Sequence, residues 1–241
     1  MKPYFQDESV TIYHGDCRTL LHEMPKVDLV LTDPPYGVRM LRGDSKIRER
    51  IQGDDVPPDI RWVSQFPAII WGGNNFCDQL PRSTGWLVWD KWFPECAEFS
   101  QAELAWTNVV RTIRLHQQSF KGFMRRDDGH YHPTQKPLAL MRWCLNFAKD
   151  ARTVIDPFMG SGTTLRAAKD MGIKAIGIEL EERYCEIAAR RMAQQTLPFD
   201  PLPFDAAKKR PSLFHVEREI ANDDGELGEI CKTTQDRMTP L

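Results

Sequence analysis

An apolar, strand-type run, Val27 to Leu31, leads straight into Thr32-Asp33-Pro34-Pro35-Tyr36-Gly37. A second run, Thr153 to Ile155, leads into Asp156-Pro157-Phe158-Met159-Gly160-Ser161-Gly162-Thr163-Thr164. Both polar motifs therefore stand at the carboxyl end of a strand, where open α/β sheets collect their ligands. Two such turns constrain the chain to a sheet whose strand ends share one working edge.

The rest of the pattern agrees. Seven β-type runs are legible: Val10 to His14, Asp28 to Leu31, Ala68 to Trp71, Trp86 to Trp89, Glu103 to Trp106, Thr153 to Ile155, and Lys174 to Ile178. Helical spacing lies between several of them: Arg18 to Met24 stops at Pro25, Leu138 to Ala148 repeats apolar residues at helical intervals, and Thr164 to Met171 ends at Gly172. This alternation predicts an α/β architecture, a seven-stranded and mostly parallel sheet with helices on both faces.

With 241 residues and 41% hydrophobic content, one elaborated domain is expected, spanning 1–196. From Leu197 to Leu241 no period survives among Pro198, Pro201, Pro203 and Pro211, which predicts an extended or disordered tail. Net charge is only −2, but it is unevenly spread: Arg39 to Arg50 holds five basic and two acidic residues, and Arg111 to Arg126 five basic and no acidic ones. Segments 38–59 and 111–131 are thus the candidate phosphate-facing regions, with Arg39, Arg42, Arg111, Arg114, Lys121, Arg125 and Arg126 as contacts; solvated loops are the competing reading. The six cysteines have no paired or zinc-ligand spacing, which fits reduced thiols in a cytoplasmic chain, and no metal site is indicated. No apolar run approaches the ~20 residues needed to cross a bilayer.

The glycine-rich stretch after Asp156 combines an acid, small residues allowing close backbone approach, and the hydroxyls of Ser161, Thr163 and Thr164 entering a helix, a setting that favours an anionic ligand group. A purely structural turn has the same composition. Glu179 weighs against that simpler reading, because it closes the next strand 23 residues after Asp156, about the interval at which α/β nucleotide folds place an acid on ribose hydroxyls. Asp33-Pro34-Pro35-Tyr36 suits an amino group. The carboxylate of Asp33 accepts one amino hydrogen and the Pro34 carbonyl the other, which localises a lone pair that is otherwise conjugated with a ring. A preorganised carboxylate then stabilises the positive charge that develops on nitrogen. Tyr36 offers a flat face for an extruded base, a role that needs its ring and not its hydroxyl.

Taken together, these residues resemble the amino-methylating DNA methyltransferases that use S-adenosylmethionine, over roughly residues 8 to 195. The resemblance implies a Rossmann-like methyltransferase fold. It implies that Asp33, Pro34, Pro35 and Tyr36 hold the target base and that Phe158, Gly160 and Gly162 hold the methionine part of the cofactor. His132-Pro133-Thr134-Gln135-Lys136-Pro137 matches a third motif, in which Thr134 and Lys136 help to hold the methionine carboxylate. Glu179 matches the ribose-binding acid, and Gly15-Asp16-Cys17 the segment beside the cofactor adenine. The catalytic motif precedes the cofactor motif, as in the permuted group called beta. Trp71-Gly72-Gly73-Asn74-Asn75, Trp89-Asp90-Lys91 and Glu103-Leu104-Ala105-Trp106-Thr107 look most like small stand-alone methylases of phages and prophages.

The expected activity is adenine-N6 methylation of DNA in the cytoplasm of a bacterial or phage-infected cell. Cytosine-N4 methylation is the neighbouring reading, since the same geometry serves both bases, although the cytosine enzymes more often carry Ser where this chain has Asp33. A catalytically silent DNA-binding module on the same fold is a reading of another class, and RNA as substrate stays open. Oligomeric state is open as well, a homodimer included.

Overall fold

The computed structural model describes residues 2–37, 41–42, 49–50, 56–91, 100–118 and 135–194, with backbone pairing alone for 41–42 and 49–50. All of them lie in the unit Met1–Leu197, and the tail expected from Leu197 onward falls outside them.

The strands in chain order are β1 (Phe5–Gln6), β2 (Val10–His14), β3 (Leu29–Thr32), β4 (Leu41–Arg42), β5 (Glu49–Arg50), β6 (Ala68–Trp71), β7 (Gly85–Asp90), β8 (Ala102–Thr107), β9 (Ile113–Gln117), β10 (Thr153–Asp156) and β11 (Lys174–Glu179). The helices are α1 (Cys17–Leu20), α2 (Leu138–Leu145), α3 (Thr163–Asp170) and α4 (Glu182–Ala193), with 3-10 turns at Leu21–Glu23, Arg61–Gln65 and Gly73–Phe76. Among the described residues, nine strands form one sheet in the order β1-β2-β11-β10-β3-β6-β8-β7-β9, and β4 pairs with β5. Within the large sheet only β1 and β8 run antiparallel to their neighbours.

All seven runs read from the sequence are strands, most of them a residue or so longer. The count of seven is corrected to nine by β1 and β9. β1 is too short to show a period, and β9 is an edge strand with four of its five residues exposed, so it buries too little for apolar alternation to mark it. The first part of segment 111–131 is thus the edge strand of the sheet. Segment 38–59 likewise holds a two-stranded antiparallel ribbon, Leu41↔Arg50 and Arg42↔Glu49.

Strand periodicity sorts the core. Leu29, Leu31, Ile69, Trp71 and Val154 face one side, where α2, α3 and α4 cover them with Leu140, Met141, Cys144, Leu145, Leu165, Ala168, Cys185 and Met192. Val30, Ala68, Ile70, Ile155 and Ile178 face the other, packed with Cys17 of α1, with Val63 and Phe76 of the 3-10 turns, and with Ile60 and Leu80 near them in the chain. The central strands β3 and β6 are buried at every residue, as parallel strands covered on both faces must be. Full burial contributes about 1.5–3 kcal/mol for each large apolar side chain.

The strand order reverses between β10 and β3, which themselves run parallel. From β3 the chain proceeds to β6 on one side; from β10 it proceeds through α3 to β11 on the other. The crevice at such a switch point is where α/β sheets hold ligands, and here it lies between the two motif-bearing turns. Thr32, at the end of β3, donates its hydroxyl hydrogen bond to Asp156 Oδ1 on β10 at 2.6 Å, with both residues buried. Thr32→Val keeps the shape but leaves a buried carboxyl short of one donor. It is expected to cost about 1–3 kcal/mol, read as a lower urea midpoint with unchanged far-UV circular dichroism.

Candidate active site

Four neighbouring parallel strands and the antiparallel strand beside them deliver the candidate residues along one edge. Glu179 ends β11, Asp156 ends β10, Asp33 follows β3, Gly72 follows β6, and Glu103 lies near the start of antiparallel β8. Adjacent strands are about 4.8 Å apart, so the Asp33 and Asp156 turns are direct neighbours. β7 and β8 run on beyond the row that contains Trp71, pairing Trp89 with Glu103 and Asp90 with Ala102, which raises a wall beside Asp33.

Asp33 is mostly enclosed and holds two polar partners. The Tyr36 hydroxyl donates to Oδ1 at 2.5 Å, and the Lys136 ammonium donates to Oδ2. Lys136 also pairs with Glu103 Oε2 at 3.2 Å, and the other oxygen of Glu103 receives Lys91 Nζ at 2.6 Å. Burial pushes the Asp33 carboxyl up, Lys136 works against that shift, and Glu103 adds to it. Burial disfavours the charge on Lys136, but Asp33, Tyr36 and Glu103 outweigh it and raise the ammonium well above its ordinary value. Burial also opposes the charge on Glu103, yet Lys136 and Lys91 hold its carboxyl below the ordinary range. The Tyr36 hydroxyl is driven well up by burial and by Asp33, so it stays a donor.

The ring of Tyr36 lies where a side chain on Gly72 would be. A Cβ built on Gly72 would stand 2.0 Å from Tyr36 Cε1, and Gly72 has φ +67°, in the left-handed region. Phe76 meets the ring edge-on at 6.3 Å between centroids. The expectation that only the ring matters is therefore incomplete, because the hydroxyl braces Asp33.

The glycine-rich turn is tied down from within. Asp156 is buried, and its carboxyl accepts from Thr32, from the Phe158 N–H at 3.1 Å and from Thr164. Burial pushes it up to about 6 against those three bonds. Ser161 donates to Gln135 Oε1 at 3.2 Å, while the buried Arg191 of α4 donates to the Ser161 carbonyl at 2.6 Å and reaches Ser161 Oγ and Thr163 Oγ1. The expected ligand-facing role of Asp156, Ser161, Thr163 and Thr164 thus meets a different geometry: these side chains hold the turn. Gly162 serves packing too, since a Cβ there would touch Ala188 Cβ at 3.0 Å. Phe158, Gly160 and Glu179 remain partly open.

Glu179 receives the Gly160 N–H on Oε2 at 3.0 Å and the Glu181 N–H on Oε1 at 2.8 Å. Burial nevertheless pushes its carboxyl up to about 7, the backbone bonds lowering it only in part. The Gly15 N–H donates to the Glu179 carbonyl at 2.9 Å, which joins the Gly15-Asp16-Cys17 segment to the same strand end. Asp16 caps α1 and pairs with Arg18, whereas Cys17 is buried with its thiol raised by burial to about 12.

The family described as "DNA methylase" matches residues 86–190. The Type II methyltransferase M2.DpnII of Streptococcus pneumoniae is 47% identical, over 79% of this chain and 92% of that relative. The chain belongs to the S-adenosylmethionine-dependent DNA methyltransferases. M2.LlaDCHI of Lactococcus lactis subsp. cremoris, also a Type II methyltransferase, is 25% identical over 79% of this methylase and 92% of its own length. Among solved structures, the PvuII DNA methyltransferase, titled cytosine-N4-specific, shares the fold with TM-score 0.55 and 16% identity, over 81% and 90% of the two chains. The Rossmann-like class expected from the sequence is met. The methylase fits its cofactor at the ribose end: both oxygens of Glu179 accept backbone bonds in a partly open setting, and a carboxylate has about four lone-pair sites, enough to accept a diol as well.

Thr134, Arg39, Lys121, Arg125 and Arg126 fall outside the described residues, as does the side chain of Arg42. Arg111 and Arg114 are exposed at β9, four steps across the sheet from β3, or about 19 Å at ordinary spacing. Sequence reasoning missed Glu103, Lys91 and Arg191 as parts of the site. One signal was available for the first two: on an antiparallel pair Lys91, opposite Gln101, and Glu103 are diagonal neighbours of opposite charge.

Gly72→Ala is expected to displace the Tyr36 ring and lower methyl transfer by about 100-fold, with cofactor affinity by calorimetry unchanged. Glu179 yields a pH prediction. A raised carboxyl is protonated below about pH 7 and then loses acceptor strength, so cofactor affinity should climb up to about tenfold from pH 6 to 7.5 and level off above that. Glu179→Gln should bind more weakly and flatten this dependence.

Proposed function

We propose that this methylase transfers the methyl group of S-adenosylmethionine to the N6 amino group of an adenine extruded from DNA. The reading is carried by the Asp33 carboxylate, fixed from two sides by Tyr36 and Lys136 at the switch point of the sheet. A carboxylate held in this way is an acceptor that needs no reorganisation when positive charge grows on an amino nitrogen. The Pro34 carbonyl takes the second amino hydrogen, and Tyr36 stacks on the base while its hydroxyl keeps Asp33 in place. Bound S-adenosylmethionine supplies the electrophilic methyl group. Glu179 holds the ribose, Phe158 and the Gly160 backbone flank the methionine end, and Asp16 with the backbone of Cys17 borders the adenine. Lys136, whose ammonium lies within ion-pair distance of both Asp33 and Glu103, is assigned together with Thr134 to the methionine carboxylate.

The β4–β5 ribbon begins four residues after Gly37, which makes Arg39 and Arg42 the basic residues closest in sequence to the base-binding turn. A two-stranded ribbon fits a DNA major groove, and cations there add affinity through the phosphates.

Asp33→Ala should abolish methyl transfer while cofactor binding persists, because Asp33 acts on the amino group; loss of both in equal measure would remove that division of roles. Nucleoside analysis of DNA methylated with labelled cofactor should show N6-methyladenine. Recovery of N4-methylcytosine alone overturns the adenine assignment.

A further inference from the structure

We propose that Glu103 is a positioning residue for methyl transfer: by sharing the Lys136 ammonium with Asp33, it keeps the Asp33 carboxylate oriented yet available to an amino group. The inference rests on the reading of Asp33 as the amino acceptor. Lys136 is only 6% exposed, and so dry an ammonium facing a single carboxylate would claim it as a tight ion pair. A carboxylate so claimed is a poor acceptor for anything else. Glu103 divides the claim, since Lys136 Nζ lies 3.2 Å from its Oε2. Lys91, buried and 2.6 Å from Glu103 Oε1, balances the second acid, so among the described residues the cluster holds two acids and two cations.

Among the described residues, several elements contribute groups that bear on the cluster. Asp33 and Tyr36 come from the turn after β3, Glu103 from β8, Lys91 from the residue after β7, and Lys136 from the segment before α2. Asp156 of β10 and Asp33 lie close enough for Asp33 to help raise Asp156, and Lys136 acts on the buried Cys144 thiol of α2. Glu103→Gln takes away an anion, which leaves Lys136 wholly to Asp33 and moves Asp33 protonation to lower pH. Lys91→Met takes away the cation behind Glu103, which then draws Lys136 toward itself and moves Asp33 protonation to higher pH. The two substitutions should shift the reaction in opposite directions, which general loosening of the fold would not do.

The test uses the full chain, duplex DNA and saturating S-adenosylmethionine, with single-turnover methyl transfer followed from pH 5.5 to 9 and cofactor affinity measured by calorimetry. Glu103→Gln is expected to slow transfer about tenfold at neutral pH and to move the acid limb down, with cofactor affinity within about threefold of the parent. Glu103→Asp should restore part of the rate, and Lys91→Met should move the acid limb up. Profiles that overlay the parent, or that shift in the same direction for both substitutions, overturn the proposal. So does a large loss of cofactor affinity in Glu103→Gln with an unshifted profile. If Glu103→Gln fails to fold, an unmoved acid limb in Lys91→Met decides against it. Asp33→Asn, run alongside, separates the two readings: if it is inactive while Glu103→Gln behaves as the parent, only the positioning role falls, whereas an active Asp33→Asn removes both.

Discussion

Everything at the working edge depends on β3 and β10 lying side by side and parallel, Val30 opposite Ile155 and Leu29 opposite Val154. The two motifs are more than a hundred residues apart in the chain, and this pairing makes their turns neighbours. The Thr32 to Asp156 bond fixes the last residues of the two strands against each other. A slip of one residue would turn Leu29 and Leu31 out of the core that α2 and α3 cover, so burial specifies the register as firmly as hydrogen bonding does. The positions of acceptor and cofactor turn are thus a by-product of apolar packing well below them.

Above that packing lies a charge cluster that stability alone would not select. Well-packed apolar residues in place of a buried ion pair are often neutral or stabilising, whereas removal of one partner from such a pair costs about 3–5 kcal/mol. Asp33, Lys136, Glu103 and Lys91 therefore make sense as a device for holding one carboxylate charged and oriented. β7 and β8 run past the end of β6 to bring Glu103 and Lys91 there, which gives the extra length of those strands a use beyond sheet formation.

The strands that carry both motifs were legible because each is apolar, bounded and ended by residues with special backbone demands. Asp33, Tyr36 and Glu179 were legible because their positions at strand ends follow from strand length. Partner identity was not legible in the same way. That Lys136 lies on Asp33 depends on how the segment before α2 crosses the sheet, a tertiary outcome that no local period encodes. Ser161, Thr163 and Thr164 look like ligand groups by composition, yet Arg191 and Gln135 reach the first two from the interior and Asp156 takes the third, which only tertiary packing reveals. The edge strand β9 was hidden for the opposite reason, since it buries almost nothing.

The inward-turned hydroxyls also explain how a short turn can be rigid and open at once. A turn that must bring its backbone close to a ligand cannot fill the space with side chains, so its own polar groups have to be satisfied from behind. Arg191 does this by donating to the Ser161 carbonyl and reaching two hydroxyls from α4, while Asp156 accepts the Phe158 N–H and the Thr164 hydroxyl from the strand. Glu179 completes the frame by holding the Gly160 N–H, and so the acid assigned to the ribose also shapes the turn assigned to the methionine end. Protonation of that one carboxyl near pH 7 would weaken both functions together, which couples the ribose end and the methionine end of the cofactor site to one proton.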